Sequence, residues 1–170
     1  MMKEKIRLRR VHGGEGMISP CDGKRLVTDS STVVSFKSLG WYLDPPYRLE
    51  NRPALLKRGT PTKATHFISY DILQSVMLNQ VIESLSINPQ NRVFQQDQIL
   101  ALVSKHKRLL TAKNRSSLFP LKENGKIVFL NLEWRSDVRK FVYKVHPWWN
   151  LIQETFLYPC YQFRVFVTQP

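Results

Sequence analysis

The spacing of apolar and polar residues changes character several times along this chain, and each change predicts a different element. At the start, Ile6, Leu8 and Val11 are separated by Arg7, Arg9 and Arg10, the alternation of an exposed strand or of a basic arm. His12-Gly13-Gly14-Glu15-Gly16 reads as a glycine hinge, since it lacks the Lys-Ser/Thr ending of a phosphate loop. Two β-prone runs, Lys24 to Thr28 and Thr32 to Phe36, flank Asp29-Ser30-Ser31 and predict a hairpin. Residues 40–62 carry Gly40, Pro45, Pro46, Pro53, Gly59 and Pro61, which predicts a linker or an extended wrap.

The pattern then lengthens. Lys63 to Ile68 predicts a strand, and Ser69 is a good N-cap for a helix over 70–86 with Ile72, Leu73, Val76, Met77, Val81, Ile82 and Leu85 on its apolar side. Asn88-Pro89-Gln90-Asn91 ends it. A second helix is predicted over 95–113, with Ile99, Leu102, Val103, His106, Leu109 and Leu110 on one face. Beyond it, 126–134 and 140–145 read as an antiparallel pair, a short helix follows Pro147, and 161–167 alternates as a last strand. The expected class is α+β: a β-strand followed by two helices forming a dimer core, with an N-terminal β-hairpin and a C-terminal antiparallel β-rich extension. The corresponding segments are 1–62, 63–113 and 114–170.

Charge adds a partner to this picture. The chain has 26 Lys+Arg against 13 Asp+Glu, a net charge of +13, and phosphate is the natural counter-charge for such a surplus. Residues 1–63 hold 13 basic and 6 acidic groups, 64–98 hold 1 and 3, and 99–170 hold 12 and 4. The surplus therefore lies on both flanks of an apolar middle. Trp41, Tyr42 and Tyr47 beside Arg48 and Arg52 suit either stacking on unpaired bases or pinning a long loop to the core. Adjacent Trp148 and Trp149 cannot both face one core, so one is a candidate docking surface.

Cys21 and Cys160 are the only cysteines, too few for a disulfide framework or a zinc site. With no apolar leader or membrane-length run, an intracellular protein is expected, cytoplasmic and nucleoid-associated if bacterial. The acidic residues show no paired spacing and no nucleophile motif frames a Ser or Cys, so neither an enzyme, a cofactor, a metal nor a small-molecule substrate is expected.

The order strand, helix, turn, helix over 63–113 resembles the ribbon-helix-helix superfamily of DNA-binding regulators. In that family two subunits pair their strands into a ribbon that enters the major groove, and the helices interlock as a homodimer. The resemblance implies that Lys63, Thr65 and Phe67 read bases. It also implies that backbone N–H groups near Gln95 and Gln96 hold a phosphate. Affinity would come from Arg7, Arg9, Arg10, Lys57, Arg58, Lys105, Lys107 and Arg108. A second, shorter resemblance joins Val128 to Val138 to the endonuclease subunit of heteromeric transposases; it places Gly125 where that family carries a catalytic glutamate, and so implies no nuclease. The expected function is a dimeric regulator binding double-stranded DNA. The alternatives are an RNA or single-strand binding component of a ribonucleoprotein or mobile-element complex, and an adaptor or inhibitor of an acidic protein.

Overall fold

A computed structural model describes residues 6–35, 37–40, 53–112, 115–147, 151–152 and 162–170. Its centre is a three-strand meander, β6 (Arg115–Glu123), β7 (Lys126–Arg135) and β8 (Lys140–Pro147). The run Ile127 to Leu132 is buried throughout, as expected of a strand covered on both faces. Asn124 and Gly125 both take positive φ, 48° and 76°, and join β6 to β7 with Glu123 opposite Lys126. This two-residue turn matches the right-handed strand twist, and Asn-Gly is the pair best suited to it.

Around the meander the chain closes a mixed eight-stranded sheet. β1 (Leu8–Arg10), β4 (Thr65–Ile72), β10 (Gln162–Thr168), β6, β7, β8 and β3 (Val33–Ser35) follow one another across it, and β2 (Gly16–Ile18) pairs with β4 beside β1. β10 runs parallel to β6, and β3 parallel to β8; the other pairings in this sheet are antiparallel. A separate pair joins β5 (Val76–Met77) to β9 (Leu151–Ile152).

Alternation along each strand divides the core into two layers. Phe67, Phe119, Leu130, Leu132, Phe141 and Phe166 face one side, under α1 (Pro53–Leu56) and α3 (Gln96–Lys105). Ile68, Leu118, Phe129, Val165 and Val167 face the other, with Leu78 and Val81 of α2 (Leu78–Ser84) packed into the same cluster. No helix among the described residues is long and apolar enough to cross a membrane.

The expected α+β class, a strand and two helices forming a dimer core, is overturned by this mostly β architecture. The strand predicted over 63–68 continues to Ile72. Ser69 is no N-cap but a buried mid-strand residue whose hydroxyl donates to the Gly14 carbonyl at 2.7 Å. That contact requires glycine at position 14, because a Cβ there would overlap the Ser69 hydroxyl and the Val11 side chain. β4 is flanked by β1 and β2 on one edge and by β10 on the other, so it has no free edge to pair with a second copy over the length the ribbon would need. The apolar sides of α2 and α3 are covered within the chain. Nor do the described residues of 24–36 form the expected hairpin: Val27–Asp29 is a 3-10 turn, and β3 pairs with β8 instead of with its sequence neighbour.

Expectations for the strands at 126–134, 140–145 and 161–167 match β7, β8 and β10, and the basic start of the chain forms edge strand β1. The second helix is shorter than expected, ending at Lys105 with a 3-10 turn over Lys107–Leu109. Trp41, Tyr42, Tyr47, Arg48, Arg52, Trp148, Trp149 and Cys160 lie outside the described residues, as does most of the helix expected after Pro147.

Candidate functional site

The exposed cations that the sequence placed at the end of the second helix are held there by a histidine. His106 forms the C-terminal cap of α3 and packs edge-on against Phe67, ring centroids 5.1 Å apart. Its Nε2 lies 3.2 Å from the Met17 carbonyl oxygen. Anchored in this way, the turn projects Lys105, Lys107 and Arg108 into solvent beside the negative end of the helix dipole, where positive charge is favoured. The three residues line a cleft of about 560 Å³ together with Gly13, Glu15, His106, Leu109 and Thr111. Glu15 is engaged by an ion pair with Arg10. Lys107 places its ammonium 4.3 Å from the centroid of Trp134, a cation–π contact that fixes the direction of an otherwise floppy side chain.

A second basic group lies across the same face of the sheet. Register pairs Arg9 of β1 with Asp71 of β4, Asp71 with Arg164 of β10, and Arg164 with Ser117 of β6. Arg164 donates from Nε to Asp71 Oδ1 at 2.8 Å, and Arg9 from Nη2 to Asp71 Oδ2 at 3.2 Å. Arg115, two residues before Ser117 on the same side of β6, donates to Gln162 Oε1 at 3.1 Å. Burial works to raise the Asp71 pKa, but the Arg164 and Arg9 guanidiniums hold it below the usual carboxylate range. Arg115 is pushed down from its ordinary value by burial and by the neighbouring Arg164. Ser116 faces Glu133 across β6 and β7, so one step along Arg115 stands beside Trp134. Strand register therefore puts the second group one strand away from the tryptophan that Lys107 covers.

Several predicted contact residues serve other purposes. Phe67 is fully buried in the core and cannot reach a base. Thr65 is spent within the chain, donating to the Lys63 carbonyl at 2.9 Å and accepting from Gln98 Nε2 at 3.2 Å. Lys63 is exposed but sits just before a strand enclosed on both edges.

At the start of α3 the polar side chains bind the chain's own backbone. Gln96 is buried, accepts from Val27 N–H at 2.8 Å and donates to the carbonyls of Ala54 and Lys57. Gln95 accepts the Thr60 N–H, and Asp97 accepts the Gly23 N–H and pairs with Arg25. These side chains are engaged by the chain's own loops, beside a cleft of about 490 Å³ that Gln95 and Gln96 line with Lys57, Arg58 and Lys122. Lys57 and Arg58 are exposed there, at the opposite end of α3 from Lys105, roughly 15 Å of helix away. Arg7 is also exposed, and its backbone N–H and Nε both donate to Gln74 Oε1.

Sequence pattern missed Asp71, Arg115, Ser117, Trp134 and Arg164. Only the period-two alternation of β10 hinted at Arg164, an inward-pointing cation in an apolar strand.

The opposite face of the sheet carries a smaller polar set. Asn131 and His146 are buried on β7 and β8, with Asn131 Nδ2 3.5 Å from His146 Nε2. Burial, helped by the neighbouring Lys144 charge, pushes His146 down to about 4. Burial also lowers Lys144, against the pull of Glu133. Among the described residues no three His, Cys, Asp or Glu side chains come together as a metal site. No family model, curated protein or solved structure matches this chain.

Proposed function

We propose that this protein binds nucleic acid through its phosphate backbone, at the face formed by β1, the end of α3 and the start of β6. The observation that carries the reading is the cleft in which Lys105, Lys107 and Arg108 converge while Glu15, the one acidic residue among its described lining residues, is already paired with Arg10. Phosphate contacts position a protein on a strand without reading its sequence, and this face offers cations rather than an element shaped to enter a groove. The net charge of +13 gives long-range attraction of the same sign.

Binding to duplex DNA, single-stranded DNA and RNA, each across a salt series, tests the reading. Affinity should fall steeply with salt on at least one of the three. Lys107→Ala and Arg108→Ala should each weaken binding to every sequence alike and flatten the salt slope by about one charge. Thr65→Ala should leave sequence preference unchanged. Salt-independent binding, or tighter binding to an acidic protein than to any nucleic acid, would overturn it.

A further inference from the structure

We propose that Arg9, Arg115, Arg164 and Ser117 form a binding site for a phosphate monoester. That the monoester is the terminal phosphate of a nucleic-acid strand rests on the function proposed above. Among the described residues three guanidiniums act on one carboxylate, Asp71, which leaves two positive charges uncompensated within the group. An internal phosphodiester brings one negative charge, whereas a monoester brings close to two and three terminal oxygens. The excess matches a strand end better than a link along the backbone.

The donors left over match as well. Asp71 occupies Nε of Arg164 and one Nη of Arg9, and Gln162 takes only Nη2 of Arg115. Among the described residues the buried Arg115 Nε has no hydrogen-bond partner, and neither has Ser117 Oγ, in a residue with no exposed surface. A buried polar group without a partner costs the fold its full desolvation penalty, and two of them side by side need a reason. Arg115 and Ser117 point to the same side of β6, roughly 6.6 Å apart along the strand, a span that an oxyanion bridges. The approach is from the rim: Gln162 is exposed and the Arg9 side chain is 64% exposed. Guanidinium forks and a hydroxyl are the donors that recognise phosphate oxygens.

The site is tested on the full chain with one short oligonucleotide in three forms: 5′-phosphate, 3′-phosphate and hydroxyl at both ends. In parallel, thermal unfolding is followed in inorganic phosphate against chloride of equal ionic strength. The wild type should prefer one phosphate-ended form by ~10-fold or more, the worth of a charge-assisted hydrogen bond or two. Ser117→Ala should remove most of that preference and leave the melting temperature in chloride unchanged or higher, since it deletes a buried hydroxyl without a partner among the described residues. Arg115→Met should do the same to the preference.

Equal affinity for all three forms, with no stabilisation by phosphate, overturns the site while leaving salt-dependent strand binding in place. Stabilisation by inorganic phosphate that Ser117→Ala abolishes, with no strand binding at all, keeps the site and overturns the strand end as its ligand. A preference that survives both substitutions places phosphate recognition elsewhere and overturns the assignment.

Discussion

Arg164 and Asp71 face each other across β10 and β4 with their side chains only 6% and 7% exposed, joined by a 2.8 Å bond from Nε to Oδ1. Removing Arg164 leaves the buried Asp71 carboxylate with only its Arg9 contact among the described residues, at a cost of about 3 kcal/mol. Arg164→Met should therefore lower the urea midpoint markedly, and an unchanged midpoint would show that Asp71 is solvated. The folded pKa of Asp71 lies below its ordinary 3.8, so the pair's contribution is intact above pH 4. It is lost only as pH falls further, through the folded value.

His146 gives a separate acid transition at higher pH. Its folded pKa of about 4 lies below the ordinary 6.5, so folding favours the neutral ring. Stability from this group is full above about pH 6.5 and declines as pH falls toward 4, when the unfolded chain takes up a proton that the folded one refuses. The decline should amount to about 3 kcal/mol of unfolding free energy between pH 7 and 4, read from denaturation curves at each pH. His146→Phe should flatten that part of the curve, with Lys144 and Glu133 left in place.

Gln96 ties the turn at Val27 and the end of α1 to the start of α3. Gln96→Ala leaves the Val27 N–H and the Ala54 and Lys57 carbonyls without their partner, and should cost about 2 kcal/mol. Nucleic-acid affinity of the folded variant should be unchanged. A large loss of affinity at full stability would return this helix end to the list of phosphate sites.

Gly125 isolates a purely conformational effect. Its φ is +76° and nothing lies within 4 Å of the position a Cβ would take. Gly125→Ala should therefore cost about 1 kcal/mol through backbone strain alone, measurable by denaturation and with no change in binding.

Where β-prone runs continue unbroken over six or more residues, the chain's pattern predicts its elements. β7, β8 and β10 follow directly from runs such as Phe163, Val165 and Val167. The segment from Thr65 to Val76 misleads because its apolar spacing fits two periods, and Ser69 carries the signature of a helix cap. What decides between them is the Gly14 carbonyl, 55 residues away in sequence, a partner that no local window contains. β6 escapes notice because Arg115-Ser116-Ser117 reads as polar surface, although Asn124-Gly125 marks the hairpin that places it.

The candidate site divides in the same way. Lys105, Lys107 and Arg108 could be picked out because helix-end cations are a local feature. Arg9, Asp71, Arg115 and Arg164 come from four strands and are brought together only by the order in which those strands lie.

That order has a kinetic consequence. β10 lies between β4 and β6, separated from them in sequence by about 90 and 40 residues respectively. Until it docks, β4 with its N-terminal partners and the β6–β7–β8 meander are two half-sheets, each with an unpaired edge. Closing loops of this length before any contact rewards them makes folding slow, on the order of milliseconds to seconds. During that interval the open edges of β4 and β6 are templates for pairing with other chains. Crowded synthesis without a chaperone should convert this protein into aggregates through those two edges, and a peptide spanning 162–168 should compete for them.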